Sequence, residues 1–254
     1  MACRFQVFQE WPRWLGRQSR ADAGALAAHY GSVSVVTFIA STTFLTAIGV
    51  PFEGYVAALV ALLEVPAIVV GLLLARAGGD PDAVSSAAES SLWRLTGRIL
   101  VSKSVLLLLG GLAIGYASGP KGFEPVAPFF VVPFKGVLVL FLLELGMVTA
   151  RRFRDLPKSA LFLLSFGTLL PVVHGALGVF AGSLAGLSLG GATVLGTLTA
   201  SASYIAAPAA VRIALPEANP GLYLTGALAI TFPFNLVFGI PLYYTLAQYL
   251  VTSG

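Results

Sequence analysis

Apolar residues run almost unbroken through residues 22–48, 54–75, 99–118, 126–149, 159–186, 188–214 and 221–250, with polar residues gathered between the runs. Each run is far too long for a strand of an outer-membrane barrel. As helices rising about 1.5 Å per residue, runs of this length suit a hydrocarbon core of about 30 Å. The pattern predicts an all-α polytopic membrane protein. The longest hydrophilic stretch, Arg76 to about Leu95, holds GGDPD at 78–82 and divides the chain into two halves.

Two runs carry polar residues where a span should be most apolar. Residues 199–220, TASASYIAAPAAVRIALPEANP, place Ser201, Ser203 and Tyr204 at mid-span, with Pro208 one turn on. Two readings fit this stretch. One is a helix broken near the bilayer midplane around a polar solute. The other is a kinked helix whose serines bond back to their own backbone. An internal repeat favours the break. When residues 31–75 are laid over residues 200–247, Ser32–Ser34 fall on Ser201–Ser203, Tyr55 on Tyr223 and Pro66 on Pro233, with one or two residues of slippage. The first half-helix, from Asp22 to Tyr30, would be about 13 Å long and would end near the midplane.

Composition agrees with a membrane protein and adds an orientation. The chain of 254 residues is 57% hydrophobic and 10% charged, against about 25% charged in soluble domains. If the 77–96 connector is cytoplasmic, every Lys and Arg other than Lys121 and Lys135 lies on or near that side, as the positive-inside rule requires. The C-terminus and the tip at Pro51–Glu53 then face outside. The two repeat copies enter from opposite sides, the signature of a secondary transporter with its site at the repeat interface. The single Cys3 excludes an intrachain disulfide, and His29 and His174 alone make no histidine metal cluster. A membrane enzyme is poorly supported, since no His, Cys or carboxylate group gathers at a common depth.

The chemistry of such a site follows from helix ends. The second half of a broken helix starts with free amides and the positive end of its dipole, which suits an anion. The first half ends in free carbonyls, which suit a dehydrated Na+. The candidate residues are Gly31, Ser32, Ser34 and Thr37 in the first copy and Thr199, Ser201 and Ser203 in the second, with Thr37, Thr199 and Glu64 as candidates for the cation. Glu64 lies two residues before Pro66, well inside a span. It reads either as a cation ligand or proton relay, or as a neutralised acid bonded to its neighbours. His29 abuts the first break, His174 reads as a packing histidine, and Glu144 reads as structural.

The second half resembles the sodium-dependent bicarbonate permeases of cyanobacterial type. The resemblance rests on LLELGMVTARR at 142–152, LPVVHGALG at 170–178 and TASASYIAAPAAVRIALPEANPGLYLTGALAITFPFN at 199–235. In the first half, AAHYGSVSVVTF at 27–38 and EVPAIVVGLLLA at 64–75 are similar to the matching elements. The resemblance implies ten helices in two inverted repeats of five, with the fourth helix of each discontinuous. Sodium and bicarbonate would bind between the crossing breaks. It also implies gate helices able to form a homo-oligomer, and a cytoplasmic regulator of the PII type. On this frame residues 1–21 are an atypical leader or an interfacial segment, 22–76 a partial first repeat, 77–96 the connector and 97–250 a complete second repeat. About six to seven spanning segments are then present, and the chain reads as truncated at its N-terminus. The expected function is sodium-coupled symport of bicarbonate across a bacterial inner membrane. The alternatives are a permease of the same fold for another small anion or organic carboxylate, and an inactive truncated protein or scaffold.

Overall fold

The computed structural model describes residues 19–76, 103–131, 133–153 and 160–252. Residues 1–18 of the leader and the 77–96 connector lie outside the described residues. Every regular element among the described residues is helical. In chain order they are α1 (Arg20–Gly31), α2 (Val35–Ala47), α3 (Val56–Arg76), α4 (Lys103–Phe123), α5 (Ala127–Val131), α6 (Phe134–Phe153), α7 (Ala160–Leu184), α8 (Leu189–Ala200) and α9 (Ala206–Ala214). A final long helix, α10, runs over Pro220–Val251. Three stretches among the described residues are long and apolar enough to cross a membrane: Arg20–Ala47, Leu161–Leu184 and Pro220–Val251.

The first of these stretches is interrupted. Ser32 (φ −94°, ψ 176°) and Ser34 (φ −122°, ψ 122°) are extended, so α1 stops and α2 starts afresh. Glycine and serine favour this, because glycine has a high entropic cost in a helix and serine offers its hydroxyl to the local backbone. Ser34 caps α2 by accepting from the Thr37 amide at 3.2 Å. Residues 201–205 interrupt α8 and α9 in the same way, with Ser201 at φ −80°, ψ 168°. The 199–220 stretch is therefore a break and not a kink. At its start, α1 reaches back to Arg20 with Ser19 as its cap, ahead of the Asp22 start read from the sequence. Its 12 residues make it about 18 Å long.

The two first halves, α1 and α8, lie deep in the core. Almost every residue of α1 and α8 is buried, including their small Ala and Gly positions. Small residues let backbones approach where lipid supplies no hydrophobic drive between helices. Two places use this fully. A Cβ added at Gly71 on α3 would stand 2.9 Å from the Ala28 Cα on α1, and one added at Gly178 on α7 would stand 2.9 Å from the Gly196 Cα on α8.

Prolines shape the remaining helices. Pro133 separates the short α5 from α6, dividing the run read as a single span over 126–149. In α4, Gly119 takes φ 61° ahead of Pro120 and kinks the element. Within α10, Thr225–Thr231 and Asn235–Gly239 are π-helical on either side of Pro233, which cannot donate a backbone hydrogen bond. Leu107, Ile114 and Tyr116 on α4 and Val137 and Leu140 on α6 are exposed.

Candidate functional site

The two breaks meet. The Ser34 amide donates to the Ser201 hydroxyl at 2.9 Å, and that hydroxyl donates on to the Leu198 carbonyl at 2.7 Å. Reciprocally, the Ser203 amide donates to the His29 carbonyl at 2.9 Å. The start of each second half thus touches the end of the other copy's first half. Opposite helix-end dipoles lie against each other, so the partial charges at the crossing compensate one another. Ser203 also accepts from the Ala207 amide at 3.1 Å, which caps the start of α9.

Hydroxyls surround this point. Ser32, Ser34, Thr37, Ser201 and Ser203 are all buried. Ser32 donates to the Glu64 carbonyl at 3.0 Å, linking the first break to α3 beside Pro66. The Thr37 hydroxyl lies 3.5 Å from that of Tyr204, whose ring packs edge-on against Phe232. Further along, Ser41 on α2 and Thr197 on α8 face each other at 3.4 Å.

Thr199 stands apart from this group. Its hydroxyl lies against α7, where it donates to the His174 carbonyl at 2.9 Å, and it also bonds back to Leu195 and Gly196. It fastens α8 to α7 and leaves the break to its serine neighbours. Gly31 closes α1 directly ahead of the crossing. Glu64 is buried with Oε2 unpartnered among the described residues, as are His29 Nε2 and Thr225 Oγ1. The other nitrogen of His29 bonds the Ala25 carbonyl at 2.7 Å, and its ring lies 4.7 Å from that of Tyr223.

The carbonyl ends of the first halves, free in the sequence reading, are partly engaged. Leu198 accepts from both the amide and the hydroxyl of Ser201, and His29 accepts from Ser203. The Ala200 carbonyl accepts from Asn235 Nδ2 at 2.9 Å, and Tyr243 donates to Asn235 Oδ1 at 3.1 Å. Asn235 is fully buried. It stands out as the side chain that closes the end of α8, a role the sequence marks only by placing an amide inside an apolar helix. The same holds for Thr231. It satisfies the Gly167 carbonyl at 2.7 Å, which Pro171 leaves without a helical donor, and it meets the Tyr30 hydroxyl at 2.8 Å. Carbonyls with one bond keep a second lone pair, so the crossing still offers acceptors as well as hydroxyl and amide donors.

Among the described residues no group of three His, Cys, Asp or Glu side chains gathers as a metal site would. No curated protein matches the chain closely enough to add a relative. One protein family matches over residues 6–248, nearly the whole chain. On that match, and with its long apolar helices and the polar crossing of their breaks, the chain belongs to the Na+-dependent bicarbonate transporter superfamily.

Proposed function

We propose that the crossing of the two broken helices is where this chain performs the sodium-coupled secondary transport of bicarbonate for which its family is named. The reciprocal pair Ser34–Ser201 and Ser203–His29 carries the proposal. It supports two inverted copies meeting at one depth, with amide ends for the anion and carbonyl ends for the cation. Ser32, Ser34, Ser201 and Ser203 line the anion side. Thr37 and Glu64 serve the cation: the main-chain carbonyl of Glu64 bonds Ser32 at the break, and its carboxylate is buried. Thr199 acts indirectly, by holding α8 on α7. Each bound ion lowers the cost of placing the other in a low dielectric, which couples the two fluxes. Rocking of the core against the outer helices α4 and α6 would then expose the site alternately to the two faces. The exposed apolar faces of α4 and α6 suit gate helices able to pair with a second copy. The gathering of Lys and Arg on the side of the 77–96 connector supports a bacterial inner-membrane orientation with the C-terminus outside.

The test is uptake of labelled bicarbonate into proteoliposomes under an inward sodium gradient. Ser201→Ala removes the link to Ser34, and Ser203→Ala removes the cap on α9. Each is expected to lower sodium-dependent uptake at least ten-fold while the protein still inserts. Unchanged uptake in both would remove the crossing from the mechanism. Competition by small carboxylates in the same assay separates bicarbonate from other anions, since hydroxyls and helix ends recognise charge before shape.

A further inference from the structure

Two carboxylates lie at the far ends of the broken helices, away from the crossing. Ser188 caps α8 by accepting from the Gly191 amide at 3.1 Å. A capping box would place a Glu three residues after the cap, bonded to the cap's own amide. Here that position is Gly191, which has no side chain. The carboxylate comes instead from Glu53, in the connector between α2 and α3. Its Oε1 accepts from the Ser188 amide at 2.6 Å and its Oε2 from the Ser188 hydroxyl at 3.1 Å. The space a Cβ would take at Gly191 is filled by the Glu53 carboxylate, and the space beside Gly190 is filled by the Pro51 carbonyl.

The other copy mirrors this. Ser19 caps α1, with Asp22 three residues on, and the two are joined by bonds of 3.1 and 2.7 Å. The second oxygen of Asp22 accepts from the Asn219 amide at 2.7 Å, in the connector between α9 and α10. Each first half is therefore tied at its start to the connector that follows the other copy's second half.

Together with the crossing bonds, these ties have a geometric consequence. The start of α2 meets the end of α8 through Ser34 and Ser201, and the connector after α2 meets the start of α8 through Glu53 and Ser188. The pair α2 and α8 is thus antiparallel and fastened at both ends, with Ser41 and Thr197 between. The pair α1 and α9 is fastened likewise, by His29–Ser203 at one end and Asp22–Asn219 at the other.

We infer that Glu53 and Asp22 are positioning residues: a clasp at each end of the core that holds the two broken helices in register and so sets the distance between the amide and carbonyl ends at the ion site. The inference rests on the site lying at the crossing. Glu53 is the more consequential of the two, because its contact is partly buried whereas the Asp22 contact is exposed. Partial burial pushes the Glu53 carboxyl up, but bonds from the Ser188 amide, its own amide and the Ser188 hydroxyl outweigh that and hold it below its ordinary value. It is therefore ionised at neutral pH, where its charge faces the positive end of α8.

The experiment compares wild type, Glu53→Gln, Glu53→Ala and the double variant Glu53→Ala/Gly191→Glu, each as the full chain in proteoliposomes. The double variant restores a capping glutamate within α8 but not the tie to the connector. Glu53→Ala is expected to raise the KM for both Na+ and bicarbonate about five-fold with little change in maximal rate, and Glu53→Gln less. In the double variant the melting temperature should recover while both KM values stay raised. Recovery of KM together with melting temperature would reduce Glu53 to a helix cap and overturn the inference, as would unchanged KM in both single variants. The rise in melting temperature on adding NaCl, which needs no transport, is read on the same samples and should shrink in the Glu53 variants. Loss of uptake by wild type itself would count against the transport reading, and this sodium-induced shift would then decide on the clasp alone.

Discussion

Replacing Asn235 by Leu keeps the number and branching of side-chain heavy atoms and removes both of its hydrogen bonds. The Ala200 carbonyl then ends α8 without its donor, and Tyr243 loses its acceptor, in surroundings where Asn235 and Tyr243 are fully buried. Counted as buried unsatisfied groups, the two would cost about 2–6 kcal/mol together. Inter-helix hydrogen bonds in membranes measure less, on average about 0.6 and at most about 1.7 kcal/mol each. The smaller scale governs, because a helix unfolded within the membrane also finds partners. The expected destabilisation is therefore about 1–3 kcal/mol. Most of it falls on Ala200, since a tyrosine hydroxyl can turn and a helix-end carbonyl cannot. Tyr243→Phe should accordingly cost less than about 1 kcal/mol. The assay is thermal unfolding of the purified protein alongside the sodium KM for bicarbonate uptake. Asn235→Leu should lower the melting temperature and raise the sodium KM at least five-fold, because Ala200 directly precedes Ser201. If Asn235→Leu leaves both quantities unchanged, or if Tyr243→Phe proves the more damaging, Asn235 does not hold the end of α8.

Three other outcomes are expected. Glu64→Gln preserves shape and removes a charge whose attraction for a cation about 4 Å away is about 4 kcal/mol at a dielectric near 20. Much of that is offset by desolvation, so a rise of roughly ten-fold in sodium KM is expected. An unchanged KM would mark Glu64 as a neutral packing acid. Gly178→Val drives side-chain atoms into Thr199 and the Gly196 backbone and should destabilise by about 1–3 kcal/mol, read from thermal unfolding; a neutral result would mean that α7 and α8 do not pack this closely. Because the folded Glu53 carboxyl is held below its ordinary value, its stabilisation is complete above the ordinary carboxylate range and disappears as pH falls through the folded value. The melting temperature of wild type should drop faster than that of Glu53→Gln as pH is lowered below about 4, and parallel curves would remove Glu53 from the linkage.

The crossing was legible because it violates hydropathy. Ser32, Ser34, Ser201 and Ser203 sit where lipid tolerates no exposed polar group, and the repeat that pairs them favoured a break over a kinked helix. The reach of each hydroxyl was not legible. Thr199 has the same chemistry and depth as Ser201, yet it serves α7, because the absent side chain of Gly178 leaves room for its hydroxyl there. Asn235 and Thr231 looked like scattered polar residues in an apolar helix. Their work became visible only once the Ala200 and Gly167 carbonyls stood opposite them.

Glu53 shows the division most clearly. Its sequence neighbours mark a turn, and Ser188 with Gly191 marks a helix start lacking its usual glutamate. Nothing in the order of residues joins positions 53 and 188. The sequence by itself determined that this chain is a membrane protein and marked its apolar runs and the two polar interruptions within them, because hydropathy and local backbone preference act over a few residues. The tertiary structure alone decided which helix end meets which, and therefore which hydroxyls and carboxylates do the holding. Those pairings depend on directional contacts between segments more than a hundred residues apart.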